Sequence, residues 1–324
     1  MDDPFIWVRA IHFAATILLA GTVWFAVFNA EPTFRKAGDD AELIAVAKAS
    51  VRVRLGWVAW LSLAILLLSG ATWLLFVAAR MADLPLPDVL AGTVVETVVT
   101  QTGFGHAWIV RLVLAALVAI LLCVGTQIDA PFWKKILIVI LTAALVGSLA
   151  WSGHAVAGSG MSGTIHLASD MLHLLAAAAW LGGLLPLAIT LRATARESDV
   201  HLSAVAREAV ARFSIFGIVS VGTLMATGLV NSWILVGNMA ALTGTDYGLV
   251  LCVKLALFLC MVVVAGINRL ILTPRLKHKQ DEMARLTARQ LERNSLIEGA
   301  LGAVILLAVG LLGTLQPFMD GQNG

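Results

Sequence analysis

The chain has 324 residues, of which 60% are hydrophobic and 13% charged, with a mean hydropathy of +0.92; this excludes a soluble globular domain and identifies a polytopic membrane protein. Its net charge of +2 resides in loops that orient the chain in the bilayer, so membrane lipid is an implied partner and nucleic acid is not. Cys123, Cys252 and Cys260 all fall inside apolar segments and read as small buried packing residues rather than a disulfide or thiolate site.

Apolar runs of about 20 residues predict an all-α protein of eight transmembrane helices near 5–28, 55–79, 107–128, 135–151, 165–190, 213–236, 249–272 and 297–316. The first run follows Met-Asp-Asp without a basic region and reads as a retained span, not a cleaved signal. Between the first and second runs lie Arg35, Lys36, Lys48, Arg52 and Arg54; Lys134 and Lys135 precede the fourth; Arg192, Arg196, Arg207 and Arg212 precede the sixth. Arg275, Lys277, Lys279, Arg285, Arg289 and Arg293 follow the seventh, against Arg80 alone in the opposite loops. The positive-inside rule therefore places both termini outside, in the periplasm of a Gram-negative cell. The charged, Pro- and Gly-free stretches 39–50 and 279–294 read as short cytoplasmic helices extending their neighbours. The Pro-containing stretch 81–105 is expected to fold over the outer end, and the Gly/Ser-rich stretch 153–164 to be a mobile loop.

Matched spacings suggest a duplication. His12 precedes Gly21 by nine residues, as His173 precedes Gly182; Gly105 precedes Arg111 by six, as Gly248 precedes Lys254; Arg54 precedes Gly70 by sixteen, as Arg212 precedes Gly228. The expected organisation is two parallel four-helix repeats, 1–152 and 165–324, joined by a periplasmic linker at 153–164 within one integral membrane domain. His12 and His173 would then share a depth of about 12 Å, near the bilayer midplane. Arg111 and Lys254 would form a second matched pair nearer the outer surface.

The fifth run, IHLASDMLHLLAAAAWLGGLLPLAIT, carries the chemistry. His166, Asp170 and His173 project from one helical face, and ionisable groups in hydrocarbon mark a functional site by default. Imidazole suits copper and zinc, so His12, His154, His166 and His173, with Asp170 as ligand or orienting partner, are the candidate metal residues, and Met161 and Met171 would favour Cu(I) over Cu(II). Hydrogen bonding between helices is the plainer role for the histidines, and pairing with Arg9, Arg111 or Lys254 the plainer one for Asp170. Gly182-Gly183 with Pro186 reads as a close helix approach, and most of the tryptophans as an interfacial belt. Two facing histidines with nearby cations also match bis-His haem b ligation, so a b-type cytochrome or haem-dependent oxidoreductase is the alternative. No G-x-S-x-G, P-loop, dinucleotide or H-E-x-x-H pattern supports hydrolysis or ATP-driven pumping, and the chain does not read as an enzyme.

The segments GHAVAGSG from Gly153, SDMLHLLAAAAWLGGLLPL from Ser169, RFS from Arg212, ATGLVNSW from Ala226, YGLVLCVKLALF from Tyr247 and INR from Ile267 resemble the copper resistance protein D (CopD) family of bacterial inner-membrane proteins. The resemblance is densest in the second half. It implies an eight-span, multi-pass inner-membrane protein in copper homeostasis and resistance, transporting copper received from a periplasmic copper carrier. The outer loops are not Met/His-rich and carry no fused copper-binding domain, so delivery would need a separate carrier protein.

Overall fold

The computed structural model describes residues 3–38, 42–124, 130–152, 160–196, 199–236, 238–278 and 281–316. All the regular structure among them is helical. Among the described residues, eight helical segments are long and apolar enough to cross a membrane: Pro4–Ala37, Glu42–Ala82, Gly103–Cys123, Phe132–Trp151, Gly163–Thr194, Val200–Val236, Asp246–Leu276 and Glu282–Leu312. Each contains or overlaps one of the predicted runs.

Helix α1 (Pro4–Phe25) begins where the Asp3 carboxylate accepts the Phe5 N–H at 3.0 Å and Pro4 fills a position whose N–H would be unpaired. It continues through a π-helical turn, Ala26–Ala30, into α2 (Glu31–Ala37). The polar stretches after it and before the last span extend α3 (Glu42–Ala82) and α13 (Asp281–Leu312) beyond their apolar cores, as expected of their helicity, with 39–41 and 279–280 outside the described residues. After α3 come the short helices α4 (Leu86–Ala91) and α5 (Val94–Gln101), whose Val89 and Val98 pack on Leu74 and Ala78. They cover the C-terminal end of α3. The fourth span, α7 (Phe132–Ser148), closes with a 3-10 turn, Leu149–Ser152.

Helices α6 (Gly103–Cys123) and α11 (Asp246–Ile267) start alike. Thr102 Oγ1 accepts the Gly105 N–H and donates to Val98 O; Thr245 Oγ1 accepts the Gly248 N–H and donates to Ala241 O, on the short helix α10 (Met239–Gly244). The second π-helical turn, Asn268–Leu272, joins α11 to α12 (Thr273–His278).

Helix α8 (Gly160–Thr194) begins within the stretch expected to be a loop. Residues 160–164 are helical because elongating a helix already nucleated by the apolar turns beyond is easy even for Gly and Ser; 153–159 lie outside the described residues. Together α1 and α8 form the centre: α1 packs on α3, α7, α8 and α13, and α8 on α9 (Val200–Val236), α13 and α1. Their crossing is tight because Gly21 and Gly182 meet there, and a Cβ on either would collide with the other helix's backbone. The Gly-Gly pair thus packs helices, as expected, and Gly183 makes room for the Phe213 ring.

The cysteine expectation needs correction. All three are free, but Cys123 and Cys260 are exposed on the outside of the bundle rather than buried in it. A thiol is apolar enough to face lipid at little cost.

Candidate functional site

His12 is buried on α1. Its Nδ1 lies 3.2 Å from Leu66 O and 3.1 Å from Ser69 Oγ, both on α3. Leu66 O can only accept, and the one Ser69 hydroxyl proton is directed at Ile65 O, 2.6 Å away. Nδ1 therefore carries the ring proton, and Nε2 keeps its lone pair. His173 on α8 is held the same way by α9: its Nδ1 is 2.9 Å from Thr227 Oγ1, whose own proton goes to Thr223 O at 2.6 Å. Among the described residues, neither Nε2 takes part in a hydrogen bond.

A glycine follows each anchoring hydroxyl and faces the ring. A Cβ on Gly70 would stand 3.2 Å from His12 Cε1, and one on Gly228 3.8 Å from His173 Cε1. The two histidines thus share an anchor type and a clearance. In each case the tie runs to the second long helix of the same half of the chain, α3 or α9.

Arg9 and Arg111 near these rings have partners of their own. Arg9 Nη1 donates to Gly313 O at 3.1 Å. Arg111 donates from Nε to Ser148 Oγ at 3.2 Å and from Nη2 to Ser148 O at 2.6 Å. The guanidinium carbons of Arg9 and Arg111 lie 5.9 and 5.6 Å from the Trp73 ring centroid, close enough for cation–π attraction. Trp73 also meets His12, with ring centroids 5.3 Å apart. Sequence reasoning gave these tryptophans only an interfacial role. Trp73, only 2% exposed, instead organises the cations around His12. Trp24 Nε1 donates to Thr142 Oγ1, and Trp108 Nε1 to Gly70 O. These three serve the interior because each ring buries a large apolar area while its N–H or its π face satisfies a polar neighbour.

His166, Asp170 and His173 follow one another along α8, with His166 buried and the other two half-buried. Asp170 is near enough to Lys254 and Arg9 for electrostatic interaction, and Tyr247 near enough to Asp170 and Arg9. Asp170 makes no direct ion pair among the described residues, so the pairing expected of it takes the form of a looser group with Lys254 and Arg9. Ser169 Oγ adds a bond to Thr227 O at 3.3 Å. Met171 Cε approaches Gly147 on α7. His154 and the side chain of Met161 lie outside the described residues. Among the described residues, no three His, Cys, Asp or Glu side chains converge on a point where they could hold a metal ion. The structure thus presents two separately anchored imidazoles with an acid on the same helix as one of them.

Ser69, Thr227, Trp73 and Tyr247 were not singled out as site residues from sequence. A hydroxyl in an apolar helix usually bonds back to the turn before it, as Ser69 and Thr227 both do; only its second, accepting role ties it to the site. The signal available was their position just before the matched glycines Gly70 and Gly228.

Comparison with known proteins adds a family likeness. Residues 1–164 match the family described as copper resistance protein D-like, N-terminal domain, and residues 207–312 match copper resistance protein D. The chain is 31% identical over 316 residues to inner membrane protein YebZ of Escherichia coli, covering 97% of this chain and 99% of that protein. It is also 31% identical over 228 residues to copper resistance protein D of Pseudomonas syringae pv. tomato, covering 69% of this chain and 72% of that protein. To copper transport protein CutJ of Bacillus subtilis it is 28% identical over 311 residues, which is 95% of this chain but 52% of CutJ. No solved structure matches the chain.

Proposed function

Because this chain belongs to the copper resistance protein D family, we propose that it is an inner-membrane copper transporter that takes copper from a periplasmic carrier and passes it through the His12 and His173 region. The observation that carries the proposal is the matched pair of imidazoles with Nδ1 tied to a hydroxyl and Nε2 uncommitted. A metal-binding histidine commonly has this form: the hydrogen bond at one nitrogen fixes tautomer and orientation, and the other nitrogen keeps its lone pair for the metal. His154 and His166 would receive copper at the outer mouth. Asp170 offsets the positive charge of the ion beside Lys254 and Arg9. Trp73 and Ser148 hold the Arg9 and Arg111 guanidiniums in defined places, which limits their repulsion of a passing cation.

The same reading makes the two halves a parallel repeat with a pseudo-two-fold along the membrane normal and both termini periplasmic. Supporting it are the paired anchors Ser69 and Thr227, the paired clearances Gly70 and Gly228, and the paired helix caps Thr102 and Thr245. Gly21 and Gly182, which touch, would lie on the axis. Copper uptake into vesicles containing purified protein tests transport: wild type should accumulate the metal and His173→Ala should not. Equal uptake by both would refute a route through His173.

A second reading as a haem b protein is favoured by two observations. Arg9 Nε is buried without a hydrogen-bond partner, and Lys254 makes no direct ion pair among the described residues, so both could accept an anionic propionate. Nε2 of His12 and of His173 would hold the iron, and haem would supply one-electron transfer. An absorption spectrum of the purified protein separates the readings: a Soret band abolished by His12→Ala supports haem, and a colourless preparation that binds copper supports transport.

A further inference from the structure

Glu298 is an acid that the copper reading does not use. It is 2% exposed on α13, one turn beyond Asn294, where the polar part of that helix gives way to its apolar part. Asn268, the first residue of the π-helical turn on α11, faces it. Its Nδ2 donates to Glu298 Oε1 at 2.7 Å, and Asn294 Nδ2 donates to Asn268 Oδ1, also at 2.7 Å. Thr273 Oγ1 caps the Asn268 carbonyl at 2.8 Å, which fixes the turn that delivers the amide. Such one-turn π-helical segments recur at functional sites.

No described charged side chain compensates this carboxyl electrostatically. On the helices packed against α13 and on α13 itself, Arg269 bonds Ser214, Arg212 pairs with Glu208, which also takes Lys36 of α2, and Arg285 pairs with Glu282. Arg192, Arg275, Arg289 and Arg293 are exposed, and Glu292 is half-buried. On the same packed helices Arg207 is half-buried and His201 and Asp246 are exposed, while Arg9, His12, His166, Asp170, His173, Tyr247 and Lys254 belong to the site already described. An acid buried in a membrane helix is costly. A glutamine at 298 would make a bond to Asn268 without that cost, so hydrogen bonding alone does not account for an acid here.

We propose that Glu298, Asn268 and Asn294 form a proton-binding site. With the carboxyl ionised, the donors run from Asn294 to Asn268 to Glu298. When hydronium delivers a proton, one of its O–H bonds breaks to leave water, an O–H bond forms at Oε1 and the chain reverses: the acid donates to Asn268 Oδ1, and Asn268 Nδ2 donates to Asn294 Oδ1. Release reverses the sequence and returns one proton to water. Each state keeps both hydrogen bonds, because an amide offers a donor and an acceptor in nearly the same shape. A hard metal cation fits less well, since it requires six or more oxygen ligands and there is one carboxyl.

The test uses the full chain in lipid nanodiscs with a copper chelator present, so it does not depend on the copper reading. Infrared difference spectra are recorded as pH is changed. The expected result is a carboxylic-acid carbonyl band that grows as pH falls, disappears in Glu298→Gln, and shifts in frequency and midpoint in Asn268→Leu. Wild-type protein alone supplies a second readout: a hydrophobic carbodiimide, which takes the acid's proton and adds its carboxyl oxygen, should modify the Glu298 peptide at low pH and lose that reactivity as pH rises. A carbonyl band unaffected by Glu298→Gln, or Glu298 labelling that is absent or constant across the pH series, would overturn the proposal.

Discussion

Gly21 on α1 and Gly182 on α8 touch backbone to backbone at the centre of the bundle. In lipid, where no hydrophobic effect draws helices together, such close approach supplies the packing that holds the two helices. A methyl group at either position has nowhere to go. Gly182→Ala should therefore destabilise the protein by about 1–3 kcal/mol, the usual cost of overpacking. Gly56→Ala, whose new Cβ meets nothing within 4 Å, should be neutral or mildly stabilising. Thermal unfolding in detergent checks both; equal melting temperatures for Gly182→Ala and wild type would show that the crossing tolerates a methyl.

The anchoring hydroxyls give an unequal pair of effects. His173 Nδ1 has Thr227 alone, whereas His12 Nδ1 has both Ser69 and Leu66 O. Thr227→Val should lower copper affinity about 10–100-fold, the usual consequence of removing the group that orients a ligating histidine. Ser69→Ala should do less, since the Leu66 carbonyl remains. Titration with copper would show the order, and a larger loss for Ser69→Ala would contradict it.

Orientation can be read by labelling. In a background with Cys123, Cys252 and Cys260 replaced by alanine, a cysteine introduced by Asp88→Cys on α4 should react with a membrane-impermeant thiol reagent in intact spheroplasts. One introduced by Arg275→Cys on α12 should react only after permeabilisation. The reverse pattern would invert the topology derived from the basic loops.

Much of this architecture is legible in the residue order, because lipid imposes a simple rule: a span must be long, apolar and helical. That rule reveals the eight spans, and the absence of Pro and Gly in 39–50 and 279–294 points to their polar extensions. It says little about the interior. Trp73 looks like an interfacial residue until Arg9, Arg111 and His12 are seen around its ring. The start of α8 at Gly160 depends on helix elongation into a Gly/Ser-rich stretch, which composition disguises as a loop. Glu298 was passed over because the charged run just before it reads as a solvated helix end, and only the π-helical turn on α11 brings Asn268 to it.

The most direct test of the copper account is equilibrium copper binding to purified protein, compared among wild type, His12→Ala, His173→Ala and His106→Ala. His106 is exposed, with Nε2 3.0 Å from Thr100 O, and serves as the control. If the two anchored imidazoles carry the metal, His12→Ala and His173→Ala each lose bound copper or weaken its binding, and His106→Ala matches wild type. Unchanged stoichiometry and affinity in both His12→Ala and His173→Ala would contradict the account.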